Sequence, residues 1–519
     1  MSKKVVAAID LGSHALRMKV GEISKSGLFY ELENYRKING VGHDTFTTGK
    51  VSFNTVDKIC DELKLFKKSF EEYGVDQYMA MATSAIREAE NRDYIVDQIR
   101  LKTGLEIEVI SNSEEQYLTH KAIKHKLKNY EQLIQEGAVV VVVGAGSVQI
   151  TTYKEGRLRS SQNVKMGSLR IKEVFDDIER KTLRYHNILD EYITTNLEGV
   201  DFFKEADTYE HLIAVGGEIS VISKIIENQQ NKDRDQLSEK EFIKLFDHIV
   251  DMTIEEIEET YGVKRERAEI ILPSMMLFKM FLEKVKSNQI ITPIISLTDG
   301  IIRLIHEEMY LKKRSNENDD DIIANAESLA RKFQHNSSHA KQVEENALVL
   351  FDRLKKIHGL KHERVLLQVA SILHDVGKII ALDQHHKHSY NIIRSLEIFG
   401  LSEEHVEMVA NIACYHSMVK PTITDENFKS LPREARTKVG KLISILRLAD
   451  ALDRSHKGKI QIQSVRLHEK ELIIHCTSAV NADTTLEEWT FNQKADYFME
   501  VFGITPRLKI KREFENEKK

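Results

Sequence analysis

The chain has 519 residues, 41% of them hydrophobic and 30% charged, with a formal net charge of -6; this exceeds one hydrophobic core, so several domains are expected, and it argues against a general nucleic-acid binder while leaving room for a local basic pocket. The longest apolar run, Ala138 to Val143, is too short to cross a bilayer, and Met1-Ser2-Lys3-Lys4 enters a strand-like segment with no signal-peptide h-region, so neither a membrane nor export is expected. Cys60, Cys414 and Cys476 form no framework and no Cys-x-x-Cys site, which suits a reducing cytoplasm.

Strands and helices alternate through the first half. Val5–Ile9 reads as a strand, Gly12-Ser13 as a turn and Ala15–Ile23 as a second strand. Helical periodicity follows at Val56–Tyr73, a strand at Gln77–Ala82, a helix at Ile86–Thr103, a strand end at Val109–Ser111 and a helix from Ser113. The opening then repeats: strand Val139–Val143, the small-residue loop Gly144-Ala145-Gly146-Ser147, and a returning strand Val148–Tyr153. The repeat predicts an internal duplication, two lobes facing across a cleft. A third glycine loop, Gly216-Gly217, follows the short strand Leu212–Val215. Ser238–Lys286 reads as helical and Ile290–Thr298 as a strand. Lys312 to Asp321 has no apolar residue and reads as a solvated linker. Ile322 to Arg454 is helical by periodicity, and Lys459 to Pro506 returns to strands (Ile460–Leu467, Leu472–Cys476) with a final helix at Gln493–Phe502. The expected division is lobe I at 1–130, lobe II at 131–308, a linker at 309–324, an all-α domain at 325–458 and a small α/β cap at 459–519.

Two groups of residues carry chemistry. Glycine loops at strand ends expose backbone N–H groups that cradle phosphate oxygens: Asp10, Gly12 and Ser13 in the first, Gly144, Gly146 and Ser147 in the second, Gly216 and Gly217 in the third. Arg87 in Ala82-Thr83-Ser84-Ala85-Ile86-Arg87-Glu88-Ala89 suits a bidentate phosphate contact, and Glu114-Glu115 offers a carboxylate to orient water. The second group lies in a histidine-rich stretch: ten of the 21 histidines fall between His335 and His416. His339, His374-Asp375, His388, His416 and Asp450 offer nitrogen and carboxylate donors without thiolate, which suits Mn, Fe, Ni, Mg or Zn and metal-assisted hydrolysis.

Ala8-Ile9-Asp10-Leu11-Gly12-Ser13, the Ala82–Ala89 segment, Ile110-Ser111 with Glu114-Glu115, and Gly144–Ser147 together resemble the exopolyphosphatase/guanosine-pentaphosphate phosphohydrolase (Ppx/GppA) family. Lys165-Met166-Gly167, Val215-Gly216-Gly217, Arg267-Ala268-Glu269, His385-His386-Lys387-His388-Ser389 and the last helix extend the resemblance over nearly the whole chain. It implies an α/β fold of two actin-like (sugar kinase/actin/Hsp70) lobes and a following HD domain. It implies release of terminal phosphate from polyphosphate or guanosine pentaphosphate with Mg, Glu115 as general base, Arg87 as phosphate clamp, and a homodimer. The second loop departs from the family's Asp-Ile-Gly-Gly-Gly-Ser-Thr-Glu: Val142 replaces the acid at the strand end, and Gln149 the distal glutamate. His14 and Ala15 replace Asn-Ser in the first loop. Valine cannot ligate Mg, and losing one such group typically costs about 10²-fold or more in rate.

The C-terminal group resembles the HD phosphohydrolase pattern: a His, a His-Asp pair, and a distal Asp in Leu448-Ala449-Asp450. By that resemblance His339 begins one helix, His374-Asp375 lies inside a second, and Asp450 inside a third running Lys441–Leu452. His388 and His416 fall where HD-GYP-type enzymes place further ligands, implying a two-metal site, and Lys378 is placed to contact a scissile phosphate. His385 and His386 are expected to be solvated or behind the ligands. Three readings stand: hydrolysis in the N-terminal cleft, a polyphosphate- or alarmone-binding cleft regulating a working HD site, or a non-catalytic sensor.

Overall fold

An unbroken run of valine, alanine and isoleucine makes β1 (Lys4–Leu11), buried from Val6 onward, the kind of strand that sits centrally with both faces covered. In the computed structural model, which describes residues 3–179, 185–204, 208–230, 235–310 and 319–513, β1 pairs antiparallel with β2 (Ala15–Ile23) and parallel with β4 (Gln77–Ala82). With β3 (Phe29–Ile38) and β5 (Glu108–Val109) the sheet order is β3-β2-β1-β4-β5. The valine run β6 (Ala138–Val143) repeats this role. It pairs antiparallel with β7 (Val148–Lys154), itself antiparallel to β8 (Arg157–Val164), and parallel with β9 (His211–Val215). β10 (Gln236–Ser238) and β11 (Gln289–Ile291) complete the order β10-β11-β9-β6-β7-β8. From the β8 edge the pairings run antiparallel, antiparallel, parallel, parallel, the same series as from the β3 edge of the first sheet. Both sheets belong to a first unit, Met1–Ser315; a second unit spans Asn316–Lys519.

Several elements differ from the sequence reading. β3 and β8 were not foreseen; β3 is an edge strand whose Tyr30 and Leu32 are exposed, so it lacks a buried-face pattern. The helix expected at Ile86–Thr103 is two, Ser84–Glu88 and Arg92–Thr103. They part where the Asn91 side chain accepts from Val51 N (3.1 Å) and donates to Val51 O (2.9 Å). Ser238–Lys286 holds three helices, Glu239–Ile249, Ile254–Tyr261 and Arg265–Leu282, the first two opened by Ser/Thr–Glu capping boxes. The strand expected at Ile290–Thr298 stops at Ile291, and the helix Leu297–Tyr310 follows. That helix returns to the first sheet: Ile301, Ile302 and Ile305 share a core with Val6 and Ala8. Gly300 permits the return, since a Cβ there would lie 2.2 Å from the carbonyl oxygen of Leu118.

Most of the Lys312–Asp321 linker lies outside the described residues, and Asp319–Asp321 instead open the helix Asp319–Lys332. The second unit continues with helices Ser337–Arg353, Arg364–Leu373, His385–Arg394, Glu403–Cys414 and Arg433–Ala451. It ends with β12 (Ile460–His468), β13 (Glu471–Ala479), a helix Thr485–Phe502 and β14 (Thr505–Glu513), in sheet order β12-β13-β14. The last helix starts before the expected Gln493, and β14 was not foreseen. The segment is not a separate cap: Lys494 donates from that helix to Asp450 on Arg433–Ala451, both buried. No described helix is long and apolar enough to cross a membrane.

Candidate functional site

The turn at the end of β1, the loop between β6 and β7, and the turn after β9 converge on a cavity of about 450 Å³ in the first unit. Asp10, Gly12, Ser13, Glu115, Gly144, Gly146, Ser147, Gly216 and Gly217 all line it. The Ser13 hydroxyl accepts from Ala85 N at 3.1 Å, tying the first loop to the helix Ser84–Glu88. Ser111 caps the helix Asn112–Lys126 in a capping box with Glu114, which places Glu115 in the first turn. Burial pushes the Glu115 carboxyl above its ordinary range; Arg87 opposes this and Asp10 adds to it. Burial also raises Asp10, opposed by Arg17 at 3.2 Å. Arg87 does not line the cavity as a phosphate clamp would. Its guanidinium donates to the Ile110 carbonyl (2.5 Å), Asn112 and Glu115 (3.4 Å), so it steadies the candidate base.

The sequence reading missed the cationic wall: Arg17, Lys19, Arg36, Lys224 and Arg267 also line the cavity. Every lining carboxylate is ion-paired: Asp10 with Arg17 (3.2 Å), Glu115 with Arg87 (3.4 Å), Glu218 with Arg267 (2.6 Å) and Asp299 with Lys19 (2.6 Å). Val142 and Gln149 occupy the places where the family motif carries acids. Mg is held by one or two carboxylates, with waters and phosphate oxygens completing its octahedron; here the strand-end acid is absent and each remaining carboxylate is ion-paired to a cation, a poor fit to that demand.

In the second unit, His339, His374, Asp375, His416 and Asp450 come together in a buried cluster. Asn336 caps the helix bearing His339. His374 and Asp375 lie just past the end of Arg364–Leu373 rather than inside it, where the chain turns into Val376–Ile379. His388 is not among the converging groups; His385, one turn earlier, takes that place, 3.2 Å from His416 and 3.4 Å from Asp375. Gly377 explains the docking: a Cβ there would lie 2.1 Å from the His385 carbonyl oxygen, so only glycine brings the turn against that helix.

Four imidazoles share one orientation. The Nδ1 of His374 donates to Ser371 O (2.7 Å), that of His416 to Ala413 O (2.6 Å) and that of His385 to Leu382 O (3.0 Å), while that of His339 meets Asp453 (2.8 Å). A carbonyl only accepts, so in His374, His416 and His385 Nδ1 carries the proton and Nε2 presents its lone pair to the cluster, the arrangement metal-ligating histidines adopt, and His339 turns its Nε2 the same way. His339 and His374 Nε2 are 3.3 Å apart; Asp450 Oδ1 is 3.4 and 3.8 Å from them, and Asp375 Oδ2 is 3.8 and 3.5 Å. Donors about 2.1 Å from a tetrahedral ion stand about 3.4 Å apart, so the group fits a divalent metal. Asp375 Oδ1 faces His385 (3.4 Å) and His416 (3.6 Å). One carboxylate thus serves two donor groups. Burial works against ionising Asp375, but His374, His416 and Lys378 outweigh it and hold its pKa below the usual range. Burial likewise opposes charging His339, and Asp450 and Asp453 carry its pKa up to about 9. Lys378, expected at a phosphate, donates to Asp375 instead. Lys494 donates to Asp450 and to the His416 carbonyl (2.8 Å) and was not foreseen, because lysine on a helix usually reads as surface.

The first unit is thus an α/β fold of two like sheets whose glycine loops line one cavity. The chain belongs to the Ppx/GppA phosphatase family, whose model matches residues 23–308, and the family's domain III model matches residues 323–495. Phosphatases of this family depend on divalent metal. The guanosine-5'-triphosphate,3'-diphosphate pyrophosphatase of Vibrio vulnificus is 22% identical over 470 residues, 88% of each chain. The bifunctional 3-dehydroquinate synthase/phosphatase of Fusobacterium nucleatum is 22% identical over 324 residues, 58% of this chain but 46% of that protein. Among solved structures, an exopolyphosphatase from Cytophaga hutchinsonii superposes with a TM-score of 0.53 at 20% identity, covering 60% or less of this chain (59%) and 98% of its own. That likeness gives the first unit the family's actin-like α/β fold.

Proposed function

We propose that this protein is a phosphohydrolase that releases terminal phosphate from a polyanion of the inorganic polyphosphate or guanosine pentaphosphate type. The observation carrying the reading is Glu115: a half-buried carboxyl, raised by desolvation, in a cavity walled by three glycine loops and five cationic side chains. Glu115 takes a proton from the attacking water, a role worth roughly 10²–10⁴-fold. Backbone N–H groups of the loops and the cationic wall hold the phosphoryl chain and meet charge developing on it. Phosphate release from polyphosphate and from guanosine pentaphosphate tests this, with Glu115→Gln as control. A loss of about 100-fold is expected; undiminished turnover removes Glu115 from the mechanism. A reducing cytoplasm suits the three buried, free cysteines, and a homodimer completes the reading.

The cluster in domain III favours a second reading. It is an HD-type, two-metal phosphohydrolase centre, with the cleft as a polyphosphate- or alarmone-binding regulator. His339, His374, Asp375 and Asp450 would hold one divalent ion, and His385, His416 and Asp375 another. Such ions, when bound, supply hydroxide near neutral pH and clamp attacking and leaving oxygens. Asp375 orients both groups and holds the Lys378 ammonium beside them. What supports this reading is the shared Nδ1 orientation of four imidazoles. Metal content of purified protein decides it: a metal-free wild type, or full activity in Asp375→Ala, overturns it.

A further inference from the structure

Like charges directly opposite each other on neighbouring strands repel, yet Arg17 on β2 and Arg36 on β3 are register partners and both line the cleft. Arg267 joins them: a Cβ on Gly217 would lie 2.9 Å from an Arg267 guanidinium nitrogen and 3.8 Å from one of Arg17. Among the described residues Arg36 has no hydrogen-bond or ion-pair partner, and Lys224 has none. Burial, then Arg36, Arg267 and Arg17, lower His14 to about 4; desolvation in the cleft, then Arg267 and Arg17, lower Arg36 to about 10, with Glu218 and Glu266 opposing. One buried cavity oxygen, Asp10 Oδ1, lacks a hydrogen-bond partner. The single charge of that carboxylate is already matched by Arg17 at 3.2 Å. The site is short of an anion.

We propose that the cleft takes its polyphosphoryl ligand as the metal-free polyanion, with the guanidinium groups of Arg17, Arg36 and Arg267 standing where the family uses a divalent ion. Guanidinium forks match phosphate oxygens bidentately and need no dehydration of a hard cation. The inference rests on reading this cleft as the polyphosphate site. It departs from the family pattern in a definite direction: Val142 removes an anion from the wall, and the arginines remain.

Calorimetry on the full chain with sodium tripolyphosphate, and separately with GTP, tests it in buffer containing EDTA and in buffer with excess Mg. EDTA also empties the domain III cluster, so heat measured there belongs to the cleft. Binding in EDTA at least as tight as in Mg is expected, weakened about tenfold or more in Arg36→Gln. Arg36 lies on the edge strand β3 with part of its side chain open to solvent, so Arg36→Gln removes no core packing. Preference for tripolyphosphate or GTP distinguishes an inorganic chain from a nucleotide. The double variant Val142→Asp/Gln149→Glu should bind more weakly in EDTA and regain affinity with Mg. Wild-type binding that appears only with Mg overturns the proposal. Binding in EDTA with no phosphate release from any substrate sustains it while removing hydrolysis from the cleft. Absence of binding in both buffers removes both.

Discussion

Lys494→Met measures how the domain III cluster is held. The lysine is 2% exposed at its side chain and Asp450 5%, so both charges of the pair are out of water. Removing one partner of such a pair typically costs about 3–5 kcal/mol, because the other charge is left buried without its counter-ion. Here His339, 3.4 Å from Asp450, is a second cation with a pKa raised to about 9, and the methionine returns apolar packing. The loss therefore falls at the low end, about 3 kcal/mol. Trp489 is the chain's single tryptophan and lies on the same helix, Thr485–Phe502, so its emission follows this unit. With a urea slope of about 2–3 kcal/mol/M, the midpoint of its metal-free transition should fall by about 1 M. Adding Asp450→Asn should recover part of the loss, since the unpaired carboxylate is then gone. A midpoint shift under about 0.3 M in the single variant would refute the reasoning.

Chelation should lower the same Trp489 transition in wild type and leave Asp375→Ala unmoved, because bound metal stabilises only the folded unit; equal midpoints with and without EDTA would count against metal in the cluster. Gly377→Ala forces its Cβ to within 2.1 Å of the His385 carbonyl oxygen, so metal content should drop and the unit lose about 1–3 kcal/mol, read by elemental analysis and urea melts. His120 is fully buried and its pKa falls to about 3, so the unfolded chain takes up a proton near 6.5 that the folded chain refuses. Stability from this group is complete above about 6.5 and declines as pH falls, by about 2 kcal/mol at pH 5. His120→Gln should flatten that part of the first unit's profile, followed by circular dichroism; identical slopes would show that another group carries it.

What the sequence disclosed depended on how local each cause is. The valines of β6 and the glycines of the loops act through their own backbone, so strand, loop and phosphate-binding chemistry were legible together. β3 was not, because an exposed edge strand takes its shape from pairing with β2 rather than from a buried face. The same distance in sequence hid the arginines: Arg17 and Arg36 become a charge cluster only once the β2–β3 register is set. His385 and His388 lie one turn apart on one helix, so spacing alone cannot choose between them. The choice is made by the turn at Gln384, with φ 50°, and by the docking of Gly377. Asp450 was legible from its motif, whereas its partner Lys494, inside the expected final helix, meets it only through tertiary packing.

The two sites solve opposite electrostatic problems, and this decides between readings better than motif integrity does. In the cleft, each carboxylate is already joined to a cation, with Arg36 and Lys224 left over. In domain III, the proton-bearing nitrogens are turned outward to carbonyls and a carboxylate, leaving lone pairs and two acids facing inward. A wall of donors accepts anions and a shell of acceptors accepts cations. The substitutions at Val142 and Gln149 therefore do more than weaken a metal site: they complete a change in the sign of the charge that the cleft is built to receive.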